Sequence, residues 1–234
     1  MAMAQVQSAN IVGFDTMTSV AGFNWIGPEF RTVGYNTVNI HDIELSGDAV
    51  DAGGADSIQF LNASGNTVES YDWAPAADTG EAKDGWFDWD EYAPPVKAIN
   101  GGDGVMIYTK AAGVIIKNLG EVNTNGYTRT SVAGFNWIGN AFPVGMNINS
   151  ISLSGENVDP AGGDTIQFLN ASGNTVESYD WAPAGDTGEA KDGWFDWDEY
   201  APPVKTLAKG EGVMIYTKAS GVTITVPGVT IANN

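Results

Sequence analysis

Forty consecutive residues, Ile58–Lys97 (IQFLNASGNTVESYDWAPAADTGEAKDGWFDWDEYAPPVK), recur at Ile166–Lys205 with one difference, Ala77 against Gly185. Identical local sequence carries identical local preferences, so the chain reads as a tandem duplication. Two further anchors extend the repeat. SVAGFNWIG stands at Ser19–Gly27 and Ser131–Gly139, and GVMIYTKAAGV at Gly104–Val114 returns as GVMIYTKASGV at Gly212–Val222. The offset changes from 112 to 108 after the first anchor, which places four extra residues within Glu29–Asp42 relative to Ala141–Ser150. A length change there predicts a surface loop or a strand end. Two repeat domains follow, residues 1–120 and 121–234. Their join near Leu119–Tyr127 lacks the composition of a flexible linker, so the halves are expected to touch.

The stretches between the anchors read as strands. Glycine is 30 of 234 residues, nearly twice the usual ~7%, and ten prolines add further breaks. Short β-branched and aromatic runs lie between these breaks, the pattern of an all-β chain. The expected fold is two tandem homologous β-sandwich, or barrel-like, domains of six to eight strands each. In the first domain the strand readings are Ile11–Phe14, Phe23–Ile26, Thr37–Leu45, Ser57–Leu61, Thr67–Trp73, Val105–Thr109 and Val114–Lys117. Asn62-Ala-Ser-Gly-Asn66 predicts a tight hairpin, because Gly and Asn accept positive φ. The hairpin accounts for the Asn62-Ala-Ser64 and Asn170-Ala-Ser172 triplets without glycosylation. Ala74–Val96 lacks alternation and reads as a long aromatic and acidic loop, a length that in compact domains is usually functional. Its one regular expectation is a helical turn over Trp86–Tyr92, stopped by Pro94-Pro95.

Charge narrows the function. The net charge is −19, from 29 acidic and 10 basic residues. Each forty-residue window holds eight acids against two lysines, so the two windows carry −12 of it. Nucleic acid and anionic membrane surfaces need clustered basic residues, and the lysines and arginines here are scattered. No apolar run approaches the ~18 residues of a membrane span, so no membrane insertion is expected. The absence of cysteine removes disulfides, thiolate metal sites and thiol nucleophiles. Ala2-Met3-Ala4 before Gln5 fits a signal-peptidase site, which predicts a secreted or cell-surface protein of bacterial type.

Two side-chain constellations recur within the windows. The first is acidic: Asp78, Glu81, Asp84, Asp88, Asp90 and Glu91, with Asp186, Glu189, Asp192, Asp196, Asp198 and Glu199. Calcium takes six to eight oxygen ligands, so a glycine-containing acidic loop is suitable material for it, although the spacing is not that of an EF-hand. The second is aromatic: Tyr71, Trp73, Trp86, Trp89 and Tyr92, with Tyr179, Trp181, Trp194, Trp197 and Tyr200. A ring beside carboxylates suits a sugar, stacking on its C–H face while the acids accept from hydroxyls. The same rings could instead roof a core. In Trp86-Phe87-Asp88-Trp89 neighbouring side chains cannot all point inward, which predicts one exposed ring per copy. Trp25 and Trp137 read as core.

The sole histidine, His41, faces Asn149 in the repeat, so no duplicated histidine chemistry exists. Gly101-Gly-Asp-Gly104 and Gly210-Glu-Gly212 lack the ending of a phosphate loop and read as turns. Twin patches permit avidity or head-to-tail assembly. The expected function is therefore a non-enzymatic, self-associating extracellular structural protein whose contacts are made by the duplicated loops and strand-like ends. The alternative is a carbohydrate-binding or adhesive module, with or without calcium; a glycan-active enzyme using paired carboxylates is a minor third. The expected partner is the chain itself or a surface glycan.

Overall fold

The structure is a computed structural model describing residues 12–51, 53–159 and 161–230. The expected cleavage segment at residues 2–5 and the outer parts of the strand-like ends lie outside these residues. In chain order the first repeat supplies β1 (Val12–Thr18), β2 (Gly22–Ile26), β3 (Phe30–Arg31) and β4 (Thr37–Asn39). Then come β5 (Ile43–Ser46), β6 (Ser57–Leu61), β7 (Thr67–Ala74), the short helix α1 (Ala76–Thr79) and β8 (Gly85–Phe87). It closes with β9 (Ala98–Asn100), β10 (Val105–Thr109) and β11 (Ile115–Val122). The second repeat supplies β12 (Tyr127–Thr130), β13 (Gly134–Gly139), β14 (Met146–Asn147), β15 (Ser152–Ser154) and β16 (Thr165–Leu169). It continues through β17 (Thr175–Ala182), α2 (Ala184–Thr187), β18 (Gly193–Phe195), β19 (Thr206–Leu207), β20 (Gly212–Thr217) and β21 (Thr223–Val226).

The fold is all-β, about 6% helical. Each repeat has a five-stranded antiparallel sheet, β2-β10-β6-β7-β8 or β13-β20-β16-β17-β18. Each also has a smaller sheet centred on β11 or β21, and a two-stranded ribbon, β4-β9 or β14-β19. The expectation of two tandem sandwiches needs correction. Many strands lie in small sheets, and the arrangement is closer to a four-blade propeller than to a clear pair of sandwiches. The cause is local, because the strands are short and glycines and side-chain caps interrupt them. Thr37–Leu45, expected as one strand, is broken where Asn39 Oδ1 accepts the His41 N–H and starts a 3-10 turn. Asn147 repeats that device with Asn149. Such local side-chain bonds compete with the strand ladder.

The core falls into two clusters, one per repeat, each drawn from both main sheets. Ile58, Ile107, Trp73 and Trp86 meet Leu45, Val114 and Ile116 in the first. Ile166, Ile215, Trp181 and Trp194 meet Leu153, Val222 and Ile224 in the second. The expected hairpin at Asn62–Asn66 is present. Asn62 Oδ1 accepts the Ser64 and Asn66 N–H groups at 2.9 and 3.1 Å, and Gly65 takes φ 78°. The four extra residues fall in an exposed turn around Val33–Asn36.

The repeats meet across an internal pseudo-dyad. The Phe23 N–H donates to the Ala171 carbonyl and the Phe135 N–H to the Ala63 carbonyl, both at 2.8 Å. Gly27 N–H reaches Gly210 O and Gly139 N–H reaches Gly102 O, both at 2.9 Å. Contacts that exchange roles in this way define an isologous, two-fold interface. On its axis Trp25 and Trp137 stack at 4.9 Å and 5°. Both indoles are half-buried at the seam, not in the core as the sequence suggested. Gly27 and Gly139 touch backbone to backbone, since a β-carbon on either would lie 2.3 Å from the other's Cα.

Candidate functional site

The long aromatic–acidic segment is more ordered than a loop. Gly85–Phe87 pairs with β7 as the last strand of the five-stranded sheet, Trp73 opposite Trp86. The helical turn expected over Trp86–Tyr92 does not form there; the helix is Ala76–Thr79 instead. After Phe87 the chain doubles back. Asp88 N–H donates to Ala93 O at 2.9 Å and Ala93 N–H donates to Asp88 O at 3.2 Å. Within this turn Asp88 Oδ1 accepts the Asp90 and Glu91 N–H groups, and Tyr92 is driven to φ 55°. The same turn recurs at Asp196–Ala201, with Tyr200 at φ 52°. A side chain held in that region is strained, and such strain is commonly stored at functional sites.

The structure divides the ten candidate rings. Tyr71, Trp73 and Trp86, with Tyr179, Trp181 and Trp194, are buried. They roof the core and offer no face to a ligand, which corrects their assignment as contact residues. The Trp86 indole donates to Ile43 O at 2.7 Å and that of Trp194 to Ile151 O at 2.9 Å. Tyr71 hydrogen-bonds Glu69, which also pairs with Lys97. Burial, then the Glu69 bond, pushes the Tyr71 phenol upward; Tyr179 with Glu177 repeats this. The remaining rings face solvent: Trp89 is 43% exposed and Tyr92 68%, Trp197 44% and Tyr200 67%.

Those exposed pairs are fixed platforms. Trp89 lies edge-on to the buried Phe87 at 4.8 Å, and Tyr92 packs on the same ring at 5.6 Å. Phe195, Trp197 and Tyr200 reproduce this at 4.8 and 5.5 Å. The Trp89 indole also hydrogen-bonds Asp72, as Trp197 does Asp180. Burial raises the Asp72 and Asp180 carboxyls, and the indole bond partly offsets it.

The twelve candidate metal-binding acids do not converge. Asp84 accepts the Ala76 N–H at 2.9 Å and Asp192 that of Ala184 at 2.9 Å, bracing the loop. Asp88 and Asp196 cap their turns as described. Asp78, Glu81, Asp90 and Glu91 are exposed, as are Asp186, Glu189, Asp198 and Glu199. Among the described residues no three His, Cys, Asp or Glu side chains are grouped to hold a metal ion. Most of these acids stand apart in water or serve the backbone. His41 Nε2 donates to Pro95 O at 2.9 Å, and Asn149 Nδ2 donates to Pro203 O at 2.8 Å. Both hold down the proline that ends the loop.

Sequence reasoning missed one acidic chain at the seam. Glu29 is 4% exposed and hydrogen-bonds Asp15, which Lys209 of the other repeat grips at 2.6 Å. Burial, then the Asp15 bond and charge, pushes the Glu29 carboxyl up to about 8. Asp15 itself is lowered: burial opposes ionisation, but Lys209 outweighs it. No local motif joins positions so distant in the chain.

The molecule these features define is an all-β internal duplication that displays matched aromatic platforms. No family model, curated protein or solved structure matches it. Among the described residues no helix is long and apolar enough to cross a membrane.

Proposed function

We propose that the protein is a non-catalytic module that binds carbohydrate at two dyad-related platforms, Trp89/Tyr92 and Trp197/Tyr200. The observation that carries this reading is the fixed exposure of the same two rings in both repeats. A ring already held by Phe87 and Asp72 gives up little freedom on binding. It stacks on the C–H face of a sugar while the free carboxylates of Asp90 and Glu91 accept from hydroxyls. Asp84 and Asp88 accept backbone N–H groups and brace the loop beneath the platform. Two platforms on one chain give avidity towards a repeating target. A secreted or surface-exposed setting fits such a role.

Self-association is the second reading. Platform-to-platform contact is opposed by the −6 carried in each window. The strand β1 favours it: among the described residues β1 pairs only with β11, and it exposes Val12 and Phe14, an edge open to strand addition. Glycan-array binding by the wild type and by a Trp89→Ala, Trp197→Ala variant tests the first reading. Undiminished binding by the variant sinks it. Concentration-dependent light scattering that Phe14→Lys abolishes would favour the second.

A further inference from the structure

A cleft of about 450 Å³ opens on the pseudo-dyad, between the two hairpins. Its volume falls within the range of small-molecule sites, roughly 300–1,000 Å³. Every lining residue has its repeat counterpart in the lining, Phe23 with Phe135 and Gln59 with Gln167 among them. The cleft is thus two-fold symmetric and single, whereas the platforms are paired.

Its chemistry differs from that of the rest of the surface. In a chain of net charge −19 none of its lining residues is charged. The stacked Trp25–Trp137 pair, whose inner faces cover each other, presents its apolar ring edges to the cleft, flanked by Phe23 and Phe135, which lie 6.2 and 6.3 Å from the indoles. The polar groups are hydroxyls and amides held in place. Gln59 accepts from Thr67 Oγ1 at 3.0 Å and donates to Ser57 Oγ at 3.0 Å, and Gln167 does the same with Thr175 and Thr165 at 3.1 and 2.9 Å. Each glutamine amide keeps one N–H and one lone pair free. An ionised ligand would lose hydration here with no opposite charge to replace it.

We propose that this cleft is a binding site for an uncharged oligosaccharide, whose C–H groups pack on the indole edges and on Phe23 and Phe135 and whose hydroxyls bond Gln59 and Gln167. The ligand class rests on the carbohydrate reading above; the location does not. Stoichiometry separates the two sites, because a ligand on the axis binds once per chain and platform ligands bind twice.

The test is calorimetric titration of the full chain with cellohexaose and laminarihexaose, with hexamers of galacturonic acid and glucosamine as charged controls. The methyl resonances of Met106 and Met214, which line the cleft, give a second readout. The full chain is expected to take up three equivalents of a neutral hexamer, one that shifts both methyls while Met17 and Met146 stay still and two, at the platforms, that shift none of the four. Gln59→Ala with Gln167→Ala should weaken the methyl-shifting event at least tenfold, and Trp89→Ala with Trp197→Ala should remove only the two equivalents that leave the methyls still. Methyl shifts lost only in the tryptophan variant, a total of two equivalents with no methyl shift, preference of the methyl-shifting event for a charged hexamer, or no binding of either neutral hexamer would each overturn the cleft. A total of one equivalent, lost in the glutamine variant and kept in the tryptophan variant, would retain the cleft and remove the platform reading.

Discussion

Replacing Glu29 by Gln tests the seam most sharply. Glu29 keeps its proton in the folded chain up to about pH 8, against an ordinary value of 4.5. Between these values the folded state binds more protons than the unfolded one, so its contribution is full below pH 4.5 and is lost as pH rises through 8. At ~1.4 kcal/mol per tenfold change in proton affinity, the whole displacement corresponds to about 5 kcal/mol. A solvent-open pocket bordered by Glu29, Asp15 and Lys209 lets water relieve part of this, and we take about half, ~2–3 kcal/mol. Gln mimics the neutral acid and can still donate to Asp15. The variant should therefore match the wild type near pH 5 and exceed it by ~2–3 kcal/mol at pH 9. In a chain of this length that is about 5–10 °C in Tm. Melting curves of both proteins at half-unit steps from pH 5 to 9 provide the measurement. Curves that stay parallel to within ~0.5 kcal/mol would refute a buried neutral Glu29.

Gly27→Ala places a β-carbon 2.3 Å from Gly139 Cα and 2.4 Å from Asn140 N. These are backbone atoms that cannot swing aside, so a loss of ~1–3 kcal/mol is expected in urea unfolding. Gly139→Ala should cost about the same, and the double variant less than the sum, because both fill one gap. Trp86→Phe leaves the buried Ile43 carbonyl without its indole donor and should cost at least ~1–3 kcal/mol. Trp194→Phe, which orphans Ile151 O, should agree with it within about 0.5 kcal/mol; a difference above ~1 kcal/mol would contradict equivalent environments in the two repeats.

Much of the fold was legible because it is written twice and locally. The hairpin at Asn62–Asn66, the strand at Ser57–Leu61 and the exposure of one tryptophan in Trp86-Phe87-Asp88-Trp89 follow from turn chemistry and alternation alone. The break at Ile40–Asp42 was hidden because V-x-I-x-x-I reads as alternation until Asn39 is seen to cap a turn. The helix was misplaced for a related reason. Asp88 uses its carboxylate to fold Asp90 and Glu91 into a turn, so the i, i+4, i+7 spacing of Asp84, Asp88 and Glu91 never becomes a helix face. The seam was least legible. Trp25 has the hydrophobicity of a core residue, and only its partner across the dyad shows that it is an interface residue. The near-identity of SVAGFNWIG in both copies was the one available signal, since a segment that packs on its own counterpart must fit itself.

The flanks of the seam explain why one chain carries two unlike copies. On one side Glu29 and Asp15 meet Lys209; on the other, the corresponding positions are Ala141, Tyr127 and Gly101. There the Tyr127 phenol donates to Gly139 O at 2.8 Å, and Arg129 pairs with Asp103 at 2.8 Å. If two first repeats docked through the same dyad, each Asp15–Glu29 pair would face Gly101 instead of Lys209. Two carboxyl pairs would then share the interface with no cation, so Asp15 would lose the partner that keeps it ionised and the seam would carry uncompensated burial on both sides. First-with-second pairing has one such carboxyl pair, and it is compensated. The axial contacts of glycine and tryptophan are indifferent to which copies meet, so discrimination falls to the flanks. Divergence there, beside an almost unchanged central window, favours pairing of a first repeat with a second over pairing of two first repeats.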